Sequence, residues 1–163
     1  MRASPIDPPD TGFLREALRL AAENSASGVN GPFGAVVVLE GAVVGRGWNR
    51  VVEDADPTAH AEILAIRDAA RALGTHVLAD CVLYASCQPC PMCMSAVYWA
   101  RIGRVVYAAG AEDAAQAGFD DSAIATELGR PRGEREVEEV QALREEGREI
   151  LQAWIRNPRR VPY

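Results

Sequence analysis

The chain is 163 residues long, 48% apolar and 25% charged, the balance of one ordinary globular domain with a real core, which excludes disordered and fibrous classes. Its 17 basic and 23 acidic side chains leave a net charge of −6, which argues against a general nucleic-acid binder and for a small-molecule partner. No apolar run reaches the roughly 18 residues of a membrane span, and the opening MRASPIDPPD carries no signal-peptide core. Three of the four cysteines crowd into the stretch SCQPCPMC, a poor disulfide framework, so a reduced, cytoplasmic setting is expected.

Residues 11–27 place Phe13, Leu14, Ala17, Leu18 and Ala21 on one helical face, with Gly28 as the stop. AVVVL, then Glu40 and Gly41, then AVVGRGW reads as a hairpin closed by a two-residue turn. Asp56, Pro57 and Thr58 open a helix expected to run to Leu73 and end at Gly74. CVLYAS, residues 81–86, is a buried-strand run. Pro91 then starts a helix to about Ala100, and residues 105–109 form a further short strand. Residues 134–156 are charged and expected to be mostly helical, ended by Asn157 and Pro158. Helix, hairpin, helix, strand, helix, strand is the order of a mixed α/β sheet with helices on both faces.

The chemistry concentrates in Cys87, Cys90 and Cys93, spaced evenly by three. With Cys90 as N-cap and Pro91 as the first helical residue, Cys90 and Cys93 share a helix opening, where free N–H groups and the helix dipole favour thiolates. Zinc takes such ligands, and the third must come from His60 or His76. His60 stands in PTAHAE with Glu62 two residues on, and His76 in the loop GTHV. Residues two apart diverge by about 200° on a regular helix, so His60 and Glu62 serve one site only across a helix mouth. Two helix N-termini facing one metal is therefore the favoured arrangement. Cys87 as a fourth ligand would make a closed structural knot. Gln88 before Pro89 favours extended backbone that carries Cys87 away, so Cys87, like Cys81, reads as a small buried residue. A thioredoxin-like redox pair leaves His60 and Glu62 unexplained.

H-x-E followed by P-C-x-x-C is the signature of zinc nucleobase deaminases. Three protein ligands leave a fourth position for water, whose pKa zinc lowers to about 7. Together with NGPFGAVVV, Asn49, DPTAHAEILAIR, AVYWAR, DAAQAGFDDS and a terminal tyrosine, these stretches resemble the cytidine-deaminase-like superfamily, and within it the bacterial guanine deaminases. The resemblance implies a three-layer α/β/α sandwich on a central mixed sheet of about five strands. It implies one zinc per subunit on His60, Cys90 and Cys93, with Glu62 shuttling protons. It places Phe33, Ala61, Asn49, Trp99 and Asp121 at the purine, Asp121 assisting proton transfer. It also implies a homodimer in which residues 157–163 of the single domain cross to the neighbour, Tyr163 closing the lid.

Other readings stand beside these. Asp120 or Asp121 could simply cap a short helix running to Leu128, and the two readings of Asp121 weigh equally. Phe33 and Trp99 also suit an ordinary core, and the NGPFG glycines suit turn punctuation. Gln88 replaces a glutamate usual in relatives, and residues 134–149 match their counterparts poorly. Arg156, Arg159 and Arg160 read as solvated surface. The expected reaction is hydrolysis of guanine to xanthine and ammonia. The rivals are deamination of cytosine, a nucleoside such as guanosine, a triazine or tRNA adenosine, and a non-catalytic zinc module.

Overall fold

The computed structural model describes residues 10–162. The chain divides into two compact units after Ile124, whereas the sequence reading set a tail apart only from residue 157.

The first unit is built on a four-stranded sheet ordered β2-β1-β3-β4, from β1 (Gly34–Leu39), β2 (Ala42–Trp48), β3 (Cys81–Cys87) and β4 (Arg104–Ala109). β1 runs antiparallel to both β2 and β3, and β3 runs parallel to β4. The hairpin turn is the expected one: Glu40 and Gly41 both have positive φ, 49° and 78°, which matches the twist of the flanking strands. β1 is buried almost end to end because the sheet is covered on both faces. Ala35 and Val37 pack with Leu83 and Ala85 against α2 (Ala61–Leu73) and α3 (Pro91–Trp99). Val36, Val38 and Tyr84 pack on the other face with Leu20 of α1 (Thr11–Ser25).

Several expectations need correction. The described residues contain four strands, not five, because the chain beyond β4 turns into the short helices α4 (Ala111–Gln116) and α5 (Ser122–Gly129). α1 buries Leu20 at 6% exposure and leaves Leu18 at 42%, since the stripe through Ala17, Leu20 and Ala21 faces the sheet. α2 begins at Ala61, not at Asp56; Asp56 Oδ1 accepts from the Thr58 N–H and hydroxyl and holds a separate turn.

The second unit contains most of α5, a 3-10 turn (Arg132–Glu134) and α6 (Arg144–Arg156). Residues 135–143 are not helical as expected. Arg135 donates to the carbonyls of Leu128 and Arg130 and to Glu139, drawing this stretch back on itself, and Leu143 sits at φ 51°.

Candidate active site

α2 and α3 each begin at a site ligand. His60 is the N-cap of α2, in extended backbone (φ −74°, ψ 153°), and Cys90 is the N-cap of α3 (φ −65°, ψ 169°). Neither uses its side chain to cap its helix, so both point elsewhere. Pro91 fills the first helical position and Cys93 the third, as the spacing indicated. His60 Nδ1 lies 3.7 Å from Cys90 Sγ and 3.6 Å from Cys93 Sγ, and the three ligand atoms fall within 4.8 Å of one another. A tetrahedral zinc with the usual Zn–N and Zn–S lengths sets N···S separations of about 3.6 Å, so the donor set and its spacing fit zinc.

Glu62 lies one residue into α2 beyond Ala61 and is 7% exposed. The Cys93 sulfur lies 3.5 Å from Glu62 Oε2. Burial pushes the Glu62 carboxyl above the usual carboxylate range. Cys90 is pulled down to about 4, chiefly because Cys93 donates to its thiolate, with His60 also favouring the charged form against burial. Cys93 is pushed up by the proton it gives to Cys90, and by burial. The Cys90 thiolate raises His60. Metal-free, the two sulfurs thus share one proton, which a divalent ion would displace.

A cavity of about 720 Å³ opens over this cluster. His60, Glu62, Cys87 and Cys90 line it, together with Phe33, Asn49 and Asp121. Asn49 is 8% exposed, and its Oδ1 accepts from the Gly31 and Val51 N–H groups, leaving its amide N–H bonds for a ligand. Gly31 is more than turn punctuation: a Cβ there would come within 3.1 Å of the Phe33 ring and 3.4 Å of the Asn49 carboxamide. Asp120 Oδ1 takes the Ser122 N–H at 2.9 Å and so caps the turn into α5, and both Asp120 and Asp121 border the cavity.

Cys87 stands apart from the ligand cluster. Its thiol donates to the Gly110 carbonyl at 3.6 Å, and it is buried at the end of β3. Trp99, expected beside the purine, is 64% exposed and does not line the cavity. It sits at the far end of nine-residue α3, about 12 Å along the axis from the ligand end. Ala61 is buried in the core and likewise does not line the cavity. Tyr163 lies outside the described residues. Phe119 went unnoticed in the sequence, although it stands inside the quoted stretch AGFDDS. Its ring meets Phe33 edge-on at 4.9 Å, and both line the cavity.

One imidazole and two thiolates around zinc, with a glutamate that is not a ligand beside them, is the arrangement of the zinc-dependent deaminases. The chain belongs to that family: residues 8–109 match the cytidine and deoxycytidylate deaminase zinc-binding region. It is 51% identical over 142 residues to the guanine deaminase of Bacillus subtilis (strain 168), covering 87% of this chain and 91% of that one. The X-ray structure of guanine deaminase from Bacillus subtilis superposes with a TM-score of 0.91 at 47% identity, over 96% of this chain and 99% of that one. A tRNA-specific adenosine deaminase of Aquifex aeolicus (strain VF5) is 44% identical over 97 residues, which cover 60% of this chain and 64% of the relative.

Proposed function

We propose that this protein hydrolyses guanine at carbon 2, consuming water and releasing xanthine and ammonia. The observation that carries the reading is Glu62: a buried carboxylate against Cys93 that opens on a cavity also bordered by Asp121 and Asn49. Zinc on His60, Cys90 and Cys93, when bound, supplies Lewis-acid polarisation. Glu62 accepts one proton from the attacking water and gives it to a ring nitrogen, then takes the second from the new hydroxyl at carbon 2 and gives it to the amine as the C–N bond breaks. Its burial favours this exchange, because a raised carboxyl holds and releases a proton nearer neutral pH. Such proton transfer is typically worth about 10²–10⁴-fold.

Specificity follows from donor and acceptor matching. Guanine offers donors at ring nitrogen 1 and at its exocyclic amine, which suit the Asp121 carboxylate. Its acceptor edge suits the amide N–H of Asn49. Phe33, steadied by Phe119, supplies an aromatic face for the base. The net charge of −6 disfavours tRNA as the substrate.

The homodimer with exchanged tails belongs to the same proposal, with Tyr163 of one subunit covering the cavity of the other. Its support is that no residue from 125 to 162 is buried, while α6 exposes Ile150, Leu151, Trp154 and Ile155. Such an apolar surface is unusual without a partner. A cytoplasmic setting is supported by four free cysteines, and no helix among the described residues is long and apolar enough to cross a membrane. The test is ammonia release from guanine, cytosine, adenine, their nucleosides, aminotriazines and a tRNA stem-loop. Guanine is expected to be turned over at least about 100-fold faster than the rest, the discrimination available when a buried polar group loses its partner. Faster turnover of any other substrate would replace the assignment.

A further inference from the structure

Two loops form one wall of the cavity: Gly28, Val29, Asn30, Gly31 and Pro32 from the first, and Asn49, Val51 and Val52 from the second. Inside the wall, the Gly31 N–H and the Asn49 carboxamide join them, and the Asn49 N–H donates to the Phe33 carbonyl. At the rim there is a second tie. Asn30 Nδ2 donates to Glu53 Oε2 at 3.0 Å, and the other oxygen of the same carboxylate faces the Arg50 guanidinium at 3.5 Å. Arg50 also pairs with Asp54 at 2.7 Å, and its backbone N–H donates to Ala59, the neighbour of His60. Arg50, Glu53 and Asp54 do not line the cavity, so none of them is placed to touch a substrate.

Folding stability alone does not account for this arrangement. Among the described residues, Asn30 Oδ1 and Arg50 Nε are buried without a hydrogen-bond partner, and each belongs to a side chain anchored on Glu53. Buried polar atoms without partners weaken a fold, and such exceptions concentrate where geometry serves a site.

We infer that Glu53 is a positioning residue for substrate binding: its carboxylate clasps Asn30 to Arg50 and so sets the spacing of the two loops that present Phe33 and Asn49. The clasp fixes the bound base and leaves the proton chemistry at Glu62 untouched. It therefore acts on KM and not on kcat. The inference rests on the assignment of this cavity as the base pocket.

The experiment measures kcat, KM, zinc content and melting temperature for Glu53→Ala, Glu53→Gln, Asn30→Ala and the Asn30→Ala/Glu53→Ala double variant. The substrate is whichever amine the parent enzyme turns over fastest. A parent that rejects guanine counts against the substrate assignment alone, while the clasp is judged by ratios to the parent. Glu53→Ala is expected to raise KM about 3–10-fold, as befits one partly exposed charged hydrogen bond, with kcat and zinc unchanged. Glu53→Gln keeps an acceptor for Asn30 and should recover part of that loss. The double variant should be no worse than the poorer single variant, because both break one link. Unchanged KM, a fall in kcat or zinc, Glu53→Gln as damaging as Glu53→Ala, or multiplicative effects in the double variant would overturn the clasp.

Discussion

Gly47 of β2 lies under the first turn of α2, and replacing it with alanine tests how the fold holds the site. A Cβ at Gly47 would meet the Ala61 carbonyl oxygen, approach Ala65 N to 2.5 Å and come within 3.0 Å of Leu64 Cβ. Ordinary contact begins at 3.4 Å, so the helix would have to withdraw by about 1 Å, and backbone on both sides leaves no flexible group to yield. Overpacking of this kind costs about 1–3 kcal/mol, or about 2–12 °C in melting temperature for a chain of this size. Ala61 adjoins His60 and Glu62, so the shift falls on the metal ligand and the proton shuttle, where a displacement of about 1 Å can lower turnover about 10²-fold. Gly45→Ala is the control. Its Cβ would meet the Ala65 carbonyl oxygen and lie 2.6 Å from Ala69 N, further along the same helix. Thermal melts and ammonia-release kinetics on both variants should show similar destabilisation but an activity loss at least about 10-fold greater for Gly47→Ala. Unchanged melting of Gly47→Ala, or equal activity losses, would refute the coupling of sheet, helix and site.

Other outcomes follow from the same geometry. Glu62→Gln should keep one zinc per chain and lose about 10²–10⁴-fold in kcat, checked by metal analysis beside steady-state kinetics. Asp121→Asn should raise KM for guanine while leaving the melt unchanged, whereas Asp120→Ala, which removes the acceptor for the Ser122 N–H, should lower the melting temperature. Zinc binding by the metal-free protein should release at least about one proton above pH 8, because Cys90 (about 4) is already a thiolate, Cys93 keeps its proton, and ionisation of bound water adds to the release. As pH falls through the raised pKa of His60, the imidazolium proton must also leave on binding, so affinity should weaken. Calorimetry in buffers of different ionisation enthalpy reads both trends, and zero protons released at pH 8 would contradict the shared proton.

The features legible in the sequence were those written in local spacing. The spacing of Cys90, Pro91 and Cys93 suited an N-cap and first turn, and the divergence of His60 and Glu62 on a regular helix let them serve one site only across a helix mouth; the structure has both arrangements. Glu40 and Gly41 marked the hairpin for the same reason. Long-range geometry was not legible. Phe119 reaches Phe33 across 86 positions of sequence, and no periodicity signals such a meeting. Trp99 shares a helix with two ligands yet ends far from them, because helical rise separates what a short motif joins. Leu18 and Leu20 are equally apolar, and only the docking of α1 on the sheet decides which is buried. Asp120 and Asp121 offered the same cap, and only the turn before α5 decides that Asp120 takes it. Residues 134–156 were expected to be mostly helical, but the helix begins only at Arg144, after a stretch in which Arg135 binds the Leu128 and Arg130 carbonyls.

X-ray absorption at the zinc edge of the purified protein tests most directly whether this is an open catalytic centre. The account predicts one zinc per chain with two sulfurs at about 2.3 Å and two nitrogen or oxygen neighbours at about 2.0 Å, the second being solvent. Three sulfurs, with Cys87 drawn in to close the sphere, would contradict it.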